Sequence, residues 1–244
     1  MKQPKALDLC CKAGGCSRGY AEAHFDVTGV DIEPQPHYPY RFVQTDLFEY
    51  LAEHGQEYDL IHVSPPCQGY SQLAAMHPGR EYPMLIEQAR TALQATGKLW
   101  VIENVERAPL SGVILCGSMF GLRIERGYLR RHRRFETSFF VPQPPPMHYG
   151  PAVGAYGHGG HSGRHRMCNK REAAEIMRID WMNRDELAQA IPPAYTSFIG
   201  DWAMWALGLA SNTASSRLPE IAGLWDTAEN EALSVAPAAA DAHR

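Results

Sequence analysis

The chain has 244 residues, with 23 Lys and Arg, 27 Asp and Glu, and a formal net charge of -4. With 45% hydrophobic and 20% charged residues it suits one globular domain with a substantial core, which excludes a disordered or fibrous protein. No stretch approaches the length of a membrane span, and no leader-like pattern opens the sequence. We therefore expect a soluble cytoplasmic protein whose six cysteines are free thiols.

Hydrophobic periodicity and turn residues predict an alternation of strands and helices. The predicted strands cover residues 5–10, 27–31, 41–45, 58–62, 98–103, 113–116 and 131–140. The predicted helices cover residues 16–24, 47–54, 84–95, 171–178, 185–190 and a segment from Pro192 through Trp205. This order is typical of an α/β fold with a mainly parallel sheet.

The first strand, helix and second strand have the layout of a nucleotide-type cofactor site. Gly14 and Gly15 lie between strand and helix, where they would let the backbone approach a ligand, and Asp31 ends the second strand. A plain tight turn would use the same glycines. Asp46 precedes the helix over 47–54 and has the position of an N-cap.

A stiff loop follows the strand over 58–62. Pro65 and Pro66 stop that strand, so Cys67 is presented at the carboxyl end of the sheet, where ligands bind in α/β proteins. A thiol on such a loop suits a nucleophile, and a structural cysteine is the alternative. Glu103 ends the strand over 98–103, so we expect it at the same edge as Cys67.

The charges are unevenly distributed along the sequence. Residues 123–171 contain ten Lys and Arg against two acids, a net of +8, which leaves -12 for the rest. A concentrated basic segment on an acidic body favours a phosphate-binding face, because neutralising phosphates releases counterions. A solvated charged surface is the alternative.

An ordered set of motifs over residues 5 to 200 resembles the C5-cytosine-specific DNA methyltransferase family. The motifs are Asp8-Leu9-Cys10-Cys11-Lys12-Ala13-Gly14-Gly15, Pro66-Cys67-Gln68, Glu103-Asn104-Val105, Arg131-His132-Arg133, Arg171-Glu172-Ala173-Ala174 and Gln189-Ala190-Ile191-Pro192-Pro193. The resemblance implies a Rossmann-like, S-adenosylmethionine-dependent methyltransferase sheet with helices on both faces and a small target-recognition insert. We expect a catalytic and cofactor-binding domain over 1–140 and a short target-recognition region over 141–169. C-terminal helices over 170–208 would complete the catalytic domain, and 209–244 would form a loosely packed tail with one helix near 218–224.

The resemblance also implies the chemistry. Cys67 would attack C6 of a flipped-out cytosine, Glu103 would hold a proton at N3, and Arg133 would bond O2. Asn104 would support the loop beside Cys67, and Arg131 completes the expected catalytic set. We expect the site to lower the pKa of the Cys67 thiol, since the thiolate is the nucleophile.

S-adenosylmethionine is the implied methyl donor. By resemblance, Asp31 would bond its ribose and Asp46 its adenine amino group, which is compatible with an N-cap role for Asp46. The expected cofactor-binding residues are Asp8, Leu9, Cys10, Ala13, Gly14, Gly15, Asp31, Ile32, Asp46, Leu47, Pro66 and Gln189.

The implied partner is double-stranded DNA, bound through the basic segment by a monomer in a bacterial or phage-infected cell. The short recognition region predicts a target of roughly two to four bases, or a relaxed one. The polar loop over 72–82 would close over the target base. His158, His161, His165 and Cys168 have gaps that zinc accepts, but they lie among glycines and arginines, so we expect nucleic-acid contacts there and no metal.

Alternative functions stay open. A tRNA cytosine methyltransferase would share the same motifs. A catalytically silent DNA-binding relative is suggested by Lys12 and Leu129, which depart from the family pattern. A thymidylate-synthase-like nucleotide enzyme also attacks C6 with a cysteine, but it would not explain the basic segment.

Lys12 stands where the family that the sequence resembles normally has the first glycine of its cofactor loop. Its ammonium group could face solvent, pair with the carboxylate of S-adenosylmethionine, or pair with an extra carboxylate on a modified cofactor.

Overall fold

The computed structural model describes residues 3–70, 82–145, 148, 150–156, 161–162 and 165–209. Within residues 1–209 the chain forms one compact unit. Most of the predicted loop over 72–82, His158, and the tail after Leu209 with its predicted helix lie outside the described residues.

The described residues form twelve strands and six α-helices, besides three short 3-10 helices. The strands are β1 (Lys5–Leu9), β2 (Asp26–Asp31), β3 (Arg41–Gln44), β4 (Leu60–Val63), β5 (Leu99–Val105), β6 (Val113–Leu115), β7 (Arg123–Ile124), β8 (Gly127–Leu129), β9 (Arg133–Thr137), β10 (Ala152–Gly154), β11 (His161–Ser162) and β12 (His165–Met167). The helices are α1 (Gly15–Glu22), α2 (Leu47–His54), α3 (Ile86–Thr96), α4 (Lys170–Met177), α5 (Arg184–Gln189) and α6 (Pro193–Ala206).

A seven-stranded sheet in the order β3-β2-β1-β4-β5-β9-β6 organises the fold. Strands β3 to β5 pair in parallel, while β9 runs antiparallel to both of its neighbours. The chain order reverses between β1 and β4, and the carboxyl ends of such strands open a ligand crevice. This topology confirms the predicted α/β methyltransferase sheet.

Helices cover both faces of this sheet because successive side chains of a strand point to opposite faces. Ala6 of β1 and Leu60 of β4 belong to one buried cluster, with α1 and α6. Leu7 of β1 and Ile61 of β4 belong to a second cluster, with α2 and α3. In the part of the chain that the structure describes, no helix has the length and apolar character needed to cross a bilayer.

A second, five-stranded sheet in the order β11-β12-β10-β8-β7 packs into the same cluster as α1 and α6. It begins at Arg123, so it joins residues of the predicted catalytic domain to residues of the predicted 141–169 insert. The strand predicted over 131–140 is limited to Arg133–Thr137. The chain just before it bonds to other elements, since the amide of Arg130 donates to the carbonyl of Val153.

Candidate active site

A cavity of about 470 Å³ opens at the carboxyl ends of β1, β2, β4 and β5. It contains most of the residues that the sequence nominates, at the crevice that the reversal of strand order creates. The predicted residues that line it are Cys67, Glu103, Arg133, Asp8, Cys10, Ala13, Gly15, Asp31, Ile32, Asp46, Leu47, Pro66 and Gln189. Four predicted residues lie outside this lining, namely Leu9, Gly14, Asn104 and Arg131.

The loop that carries Cys67 is fixed from both sides. The Ser64 amide donates to the Leu9 carbonyl at 3.1 Å, which continues the β1–β4 pairing into the loop. Asn104 Nδ2 donates to the Pro65 carbonyl at 2.9 Å, which is the supporting contact that the sequence predicted. Since prolines restrict φ and Asn104 is fully buried, the half-buried Cys67 thiol has a defined position at the cavity.

Glu103 and Arg133 meet on the neighbouring strands β5 and β9. Arg133 Nε lies 3.1 Å from Glu103 Oε1, and both side chains are largely buried. The two groups form an ion pair, and Oε1 has no hydrogen-bond partner among the described residues. Burial raises the pKa of Glu103, while the Arg133 charge and a hydrogen bond from Ser64 act in the opposite direction. A buried carboxyl with an available oxygen suits proton transfer to a ligand.

The pKa of Cys67 differs from the sequence expectation. Burial raises the pKa of the thiol, and this effect outweighs the Arg133 charge, which lowers it. The carboxylate of Glu103 adds to the increase. The prediction that the site lowers this pKa is therefore wrong for the ligand-free protein.

A buried chain of hydrogen bonds leads from Tyr20 through His62 and Ser64 to Glu103. The sequence analysis did not predict it. His62 Nδ1 lies 2.8 Å from the Tyr20 hydroxyl, and His62 Nε2 lies 2.9 Å from the Ser64 hydroxyl. Ser64 in turn bonds Glu103. Burial lowers the pKa of His62 to about 3, so its ring is neutral and connects a donor with an acceptor. The available signal was a polar residue within the otherwise apolar strand β4.

Arg131 has a structural position. It is fully buried, and its guanidinium donates to the carbonyls of Ala155 at 3.0 Å and Ala188 at 2.8 Å. It also lies over the Tyr156 ring, 5.1 Å from the ring centroid. Because Arg131 precedes β9, the alternation that would align it with Arg133 does not apply. It joins the second sheet to the end of α5 and does not reach the cavity.

We call the part of the cavity beside residues 10–15 the cofactor-loop end, after the loop that the sequence analysis assigned to a cofactor. Asp31 is its central side chain. Its Oδ2 accepts from the Lys12 amide at 3.1 Å, and its Oδ1 accepts from the Glu33 amide at 3.0 Å. Lys12 has a φ of 45°, in the left-handed region that glycine tolerates best, and Gly14 has a φ of 86° at the N-cap of α1. The Lys12 ammonium donates to Glu33 Oε2 at 2.7 Å, a partner that the sequence did not predict.

Asp46 caps α2, as the sequence predicted. Its Oδ1 accepts from the amides of Phe48 at 2.8 Å and Glu49 at 3.2 Å. The same residue lines the cavity, so its cap role leaves the side chain at the ligand crevice.

Asp8 lies at the floor of the same end. It is fully buried, its Oδ2 accepts from the Ser17 hydroxyl, and its Oδ1 has no hydrogen-bond partner among the described residues. Burial raises the pKa of Asp8 to about 7. A buried acceptor that faces a cavity is unfavourable unless a ligand satisfies it.

Several cations of the basic segment have internal partners. Arg126 forms a two-bond pair with Glu172, and Arg130 and Arg131 are buried. Arg123 and Arg171 are exposed. The charge available to phosphates on the described part of the segment is therefore smaller than the net +8 suggests.

Strand order, reversal point and crevice define the Rossmann-like methyltransferase fold. Solved structures with a similar fold include the following three. S. pombe Dnmt2 methyltransferase aligns over 84% of this chain and 99% of its own, with a TM-score of 0.55 and 12% identity. Entamoeba histolytica methyltransferase EhMeth aligns over 85% and 99%, with a TM-score of 0.56 and 11% identity. A protein described as a DNA modification methyltransferase of an E. coli prophage aligns over 84% and 99%, with a TM-score of 0.53 and 14% identity.

At these identities the likeness is one of fold. No model of a known protein family matches the sequence, and no curated protein sequence is significantly similar to it.

Proposed function

We propose that this protein transfers a methyl group from S-adenosylmethionine to C5 of a cytosine in DNA. The observation that carries the proposal is the arrangement of one cavity. Cys67, Glu103 and Arg133 line one part of it, and Asp8, Asp31 and Asp46 line another. Cysteine attack at a pyrimidine and binding of a cationic cofactor need these two sets of groups side by side.

The residues at the acidic end fit S-adenosylmethionine, which carries positive charge on its sulfonium and its ammonium. The unpartnered Oδ1 of Asp8 is a buried acceptor that a cation would satisfy. Asp31 is held by two backbone amides in an orientation suited to ribose hydroxyls, and the exposed Ile32 offers an apolar surface for adenine. When bound, the cofactor supplies an electrophilic methyl group.

The side chains at the other end of the cavity can make C5 of cytosine nucleophilic. Attack of the Cys67 thiolate at C6 forms a carbon–sulfur bond and moves the ring electrons towards N3, where Glu103 delivers or holds a proton. C5 then has enamine character and would take the methyl group, while the S–CH3 bond of the sulfonium would break and leave a neutral thioether. Removal of the C5 proton by a base restores the double bond and expels Cys67. The cytosine must be flipped out of its stack for these contacts, at an energetic cost of a few kcal/mol.

DNA is the favoured substrate class. Arg123 and Arg171 are exposed cations, as contacts with nucleic-acid phosphates require, although the whole chain has a net charge of -4. A solved structure with a similar fold is described as a DNA modification methyltransferase. A tRNA substrate would use the same cytosine chemistry and is the competing proposal.

Transfer of a labelled methyl group to duplex DNA and to tRNA, with the full chain, separates these proposals. We expect label in DNA as 5-methylcytosine and none in tRNA, with Cys67→Ala as the inactive control. Label confined to tRNA would overturn the DNA assignment and keep the chemistry. If the folded protein binds the cofactor but transfers label to neither acceptor, the proposal that it is a nucleic-acid methyltransferase is refuted.

A further inference from the structure

A cluster of metal-binding side chains lies outside the cavity lining. Cys116, His132 and His148 present ligand atoms that all lie within 4.8 Å of one another. Nε2 of His132 is 3.1 Å from Nε2 of His148, and the two rings meet at 77°. These three residues come from three separate segments, namely the end of β6, the start of β9, and the chain after the proline run.

We propose that Cys116, His132 and His148 bind zinc as a three-residue ligand set that joins three segments of the chain. Zinc takes nitrogen ligands at about 2.0–2.1 Å in tetrahedral geometry, which separates two ligand nitrogens by about 3.3 Å. The observed 3.1 Å between the histidine nitrogens is close to that separation. One thiolate with two imidazoles is a ligand set that zinc prefers, and water or a carboxylate can complete it.

The surroundings of the three ligands suit a bound cation. Nδ1 of His132, on the other side of its ring, lies 4.0 Å from Glu106 Oε2. At this distance Glu106 makes no hydrogen bond to His132, and it contributes negative charge near the cation. The Ser118 hydroxyl lies 3.5 Å from Cys116 Sγ and donates to it. Such a donor stabilises a metal-bound thiolate.

The position of His132 gives the site a role. It lies between Arg131 and Arg133, and the Arg133 guanidinium donates to the His132 carbonyl at 2.8 Å. A metal held by His132 would fix the start of β9 against β6, and through His148 it would fasten the chain at residue 148 to both. Zinc would thus stabilise the backbone from which Arg133 reaches Glu103.

Metal content of the untagged full chain, purified after expression with added zinc, tests the site. We expect about one zinc per chain in the wild type and at least a fivefold lower content in His148→Ala. His148 is exposed, so its substitution leaves the packed core intact. The matched controls are His24→Ala, also exposed, and Cys168→Ser, a buried cysteine outside the cluster. Both controls should keep their zinc.

Cobalt substitution adds a readout that does not depend on activity. The wild type and Cys168→Ser should show a thiolate-to-cobalt charge-transfer band, and Cys116→Ser should lack it while circular dichroism reports its fold. If Cys116→Ser does not fold, the loss of zinc in His148→Ala decides the question. A zinc-free wild type after equilibration with zinc would overturn the proposal, as would equal zinc loss in Cys168→Ser.

Discussion

The two ends of the cavity use carboxyl groups in different ways. At the cofactor-loop end, Asp31 and Asp46 are held by backbone amides, two bonds each. At the other end, Glu103 has one oxygen without a hydrogen-bond partner among the described residues, and burial raises its pKa. Carboxylates fixed by backbone donors act as constant acceptors, whereas a buried, partly satisfied carboxyl can exchange a proton. Asp8 is the exception, since it belongs to the first end but has the burial of the second.

The largest effect expected is that of Cys67→Ala. Without the thiol no bond to C6 can form, so methyl transfer should fall by more than about 10⁴-fold. A duplex containing 5-fluorocytosine should trap the wild type as a covalent adduct, because the fluorine cannot leave as a proton does. Cys168→Ala is the control and should still be trapped. Full activity in Cys67→Ala would refute covalent catalysis.

Glu103→Gln should reduce transfer by roughly two to four orders of magnitude, the usual effect of a general acid–base group. Glutamine preserves the shape of the side chain but cannot hold the proton at N3. DNA affinity should stay within a few-fold of the wild type, measured by titration with labelled duplex. Glu53→Gln, at an exposed position of α2, is the charge-matched control. Equal losses of affinity and rate would instead assign Glu103 a structural role.

The pH dependence of the transfer step should follow Cys67. Burial raises the pKa of its thiol, so at neutral pH most of it is protonated and the thiolate fraction grows about tenfold per pH unit. Single-turnover rates at saturating cofactor should therefore increase from pH 7 upwards. A rate that is already constant at pH 7 would mean that bound DNA and cofactor lower this pKa.

Cofactor binding should depend on pH through Asp8. Its pKa is raised to about 7, and only the ionised form attracts a cation, so affinity should increase as pH rises and level off above that value. Between pH 6 and pH 8 the dissociation constant should fall roughly tenfold. Calorimetric titration of Asp8→Asn should give weaker binding without this slope. A flat profile in the wild type would exclude Asp8 as the partner of the cofactor charge.

The smallest effect expected is that of Lys12→Gly. The substitution removes an exposed ion pair with Glu33 and relieves a positive φ, and each change contributes about 1 kcal/mol or less with opposite sign. Chemical denaturation should thus give nearly the wild-type stability, and the cofactor dissociation constant should change by less than about threefold. A larger loss that grows at low salt would indicate that Lys12 pairs with the cofactor carboxylate. Glu33→Gln removes the shorter of the two ion pairs of Lys12 and leaves Asp31 Oδ1 at 3.8 Å, so it tests the same pairing from the other side.

Local patterns predicted much of the main sheet. The helix over 47–54 and its cap Asp46 are found at the predicted residues, because a cap is a bond between neighbours in sequence. The strand ends that carry Cys67, Glu103 and Asp31 follow from apolar runs that stop at polar or proline residues. Parallel strands then bring their carboxyl ends to one edge. Together with the family resemblance, this allowed about half of the residues that line the cavity to be named in advance.

Packing between distant segments determined the features that the sequence analysis predicted wrongly, namely the position of Arg131 and the pKa of Cys67. Arg131 and Arg133 are two residues apart and chemically identical, yet Arg131 is buried between the end of β10 and α5, while Arg133 reaches Glu103. The raised pKa of Cys67 is a consequence of burial, which no tripeptide motif encodes.

The sequence by itself determined the strands of the main sheet, the loop that carries Cys67 and the acidic residues at the cofactor-loop end of the cavity. Each of these depends on residues that are close in the chain. Only the tertiary structure brought together Cys116, His132 and His148, which are separated by 16 residues at each step and have no spacing signature. Their meeting depends on how β6, β9 and the segment after the prolines fold onto one another, and contacts between distant segments are invisible to periodicity.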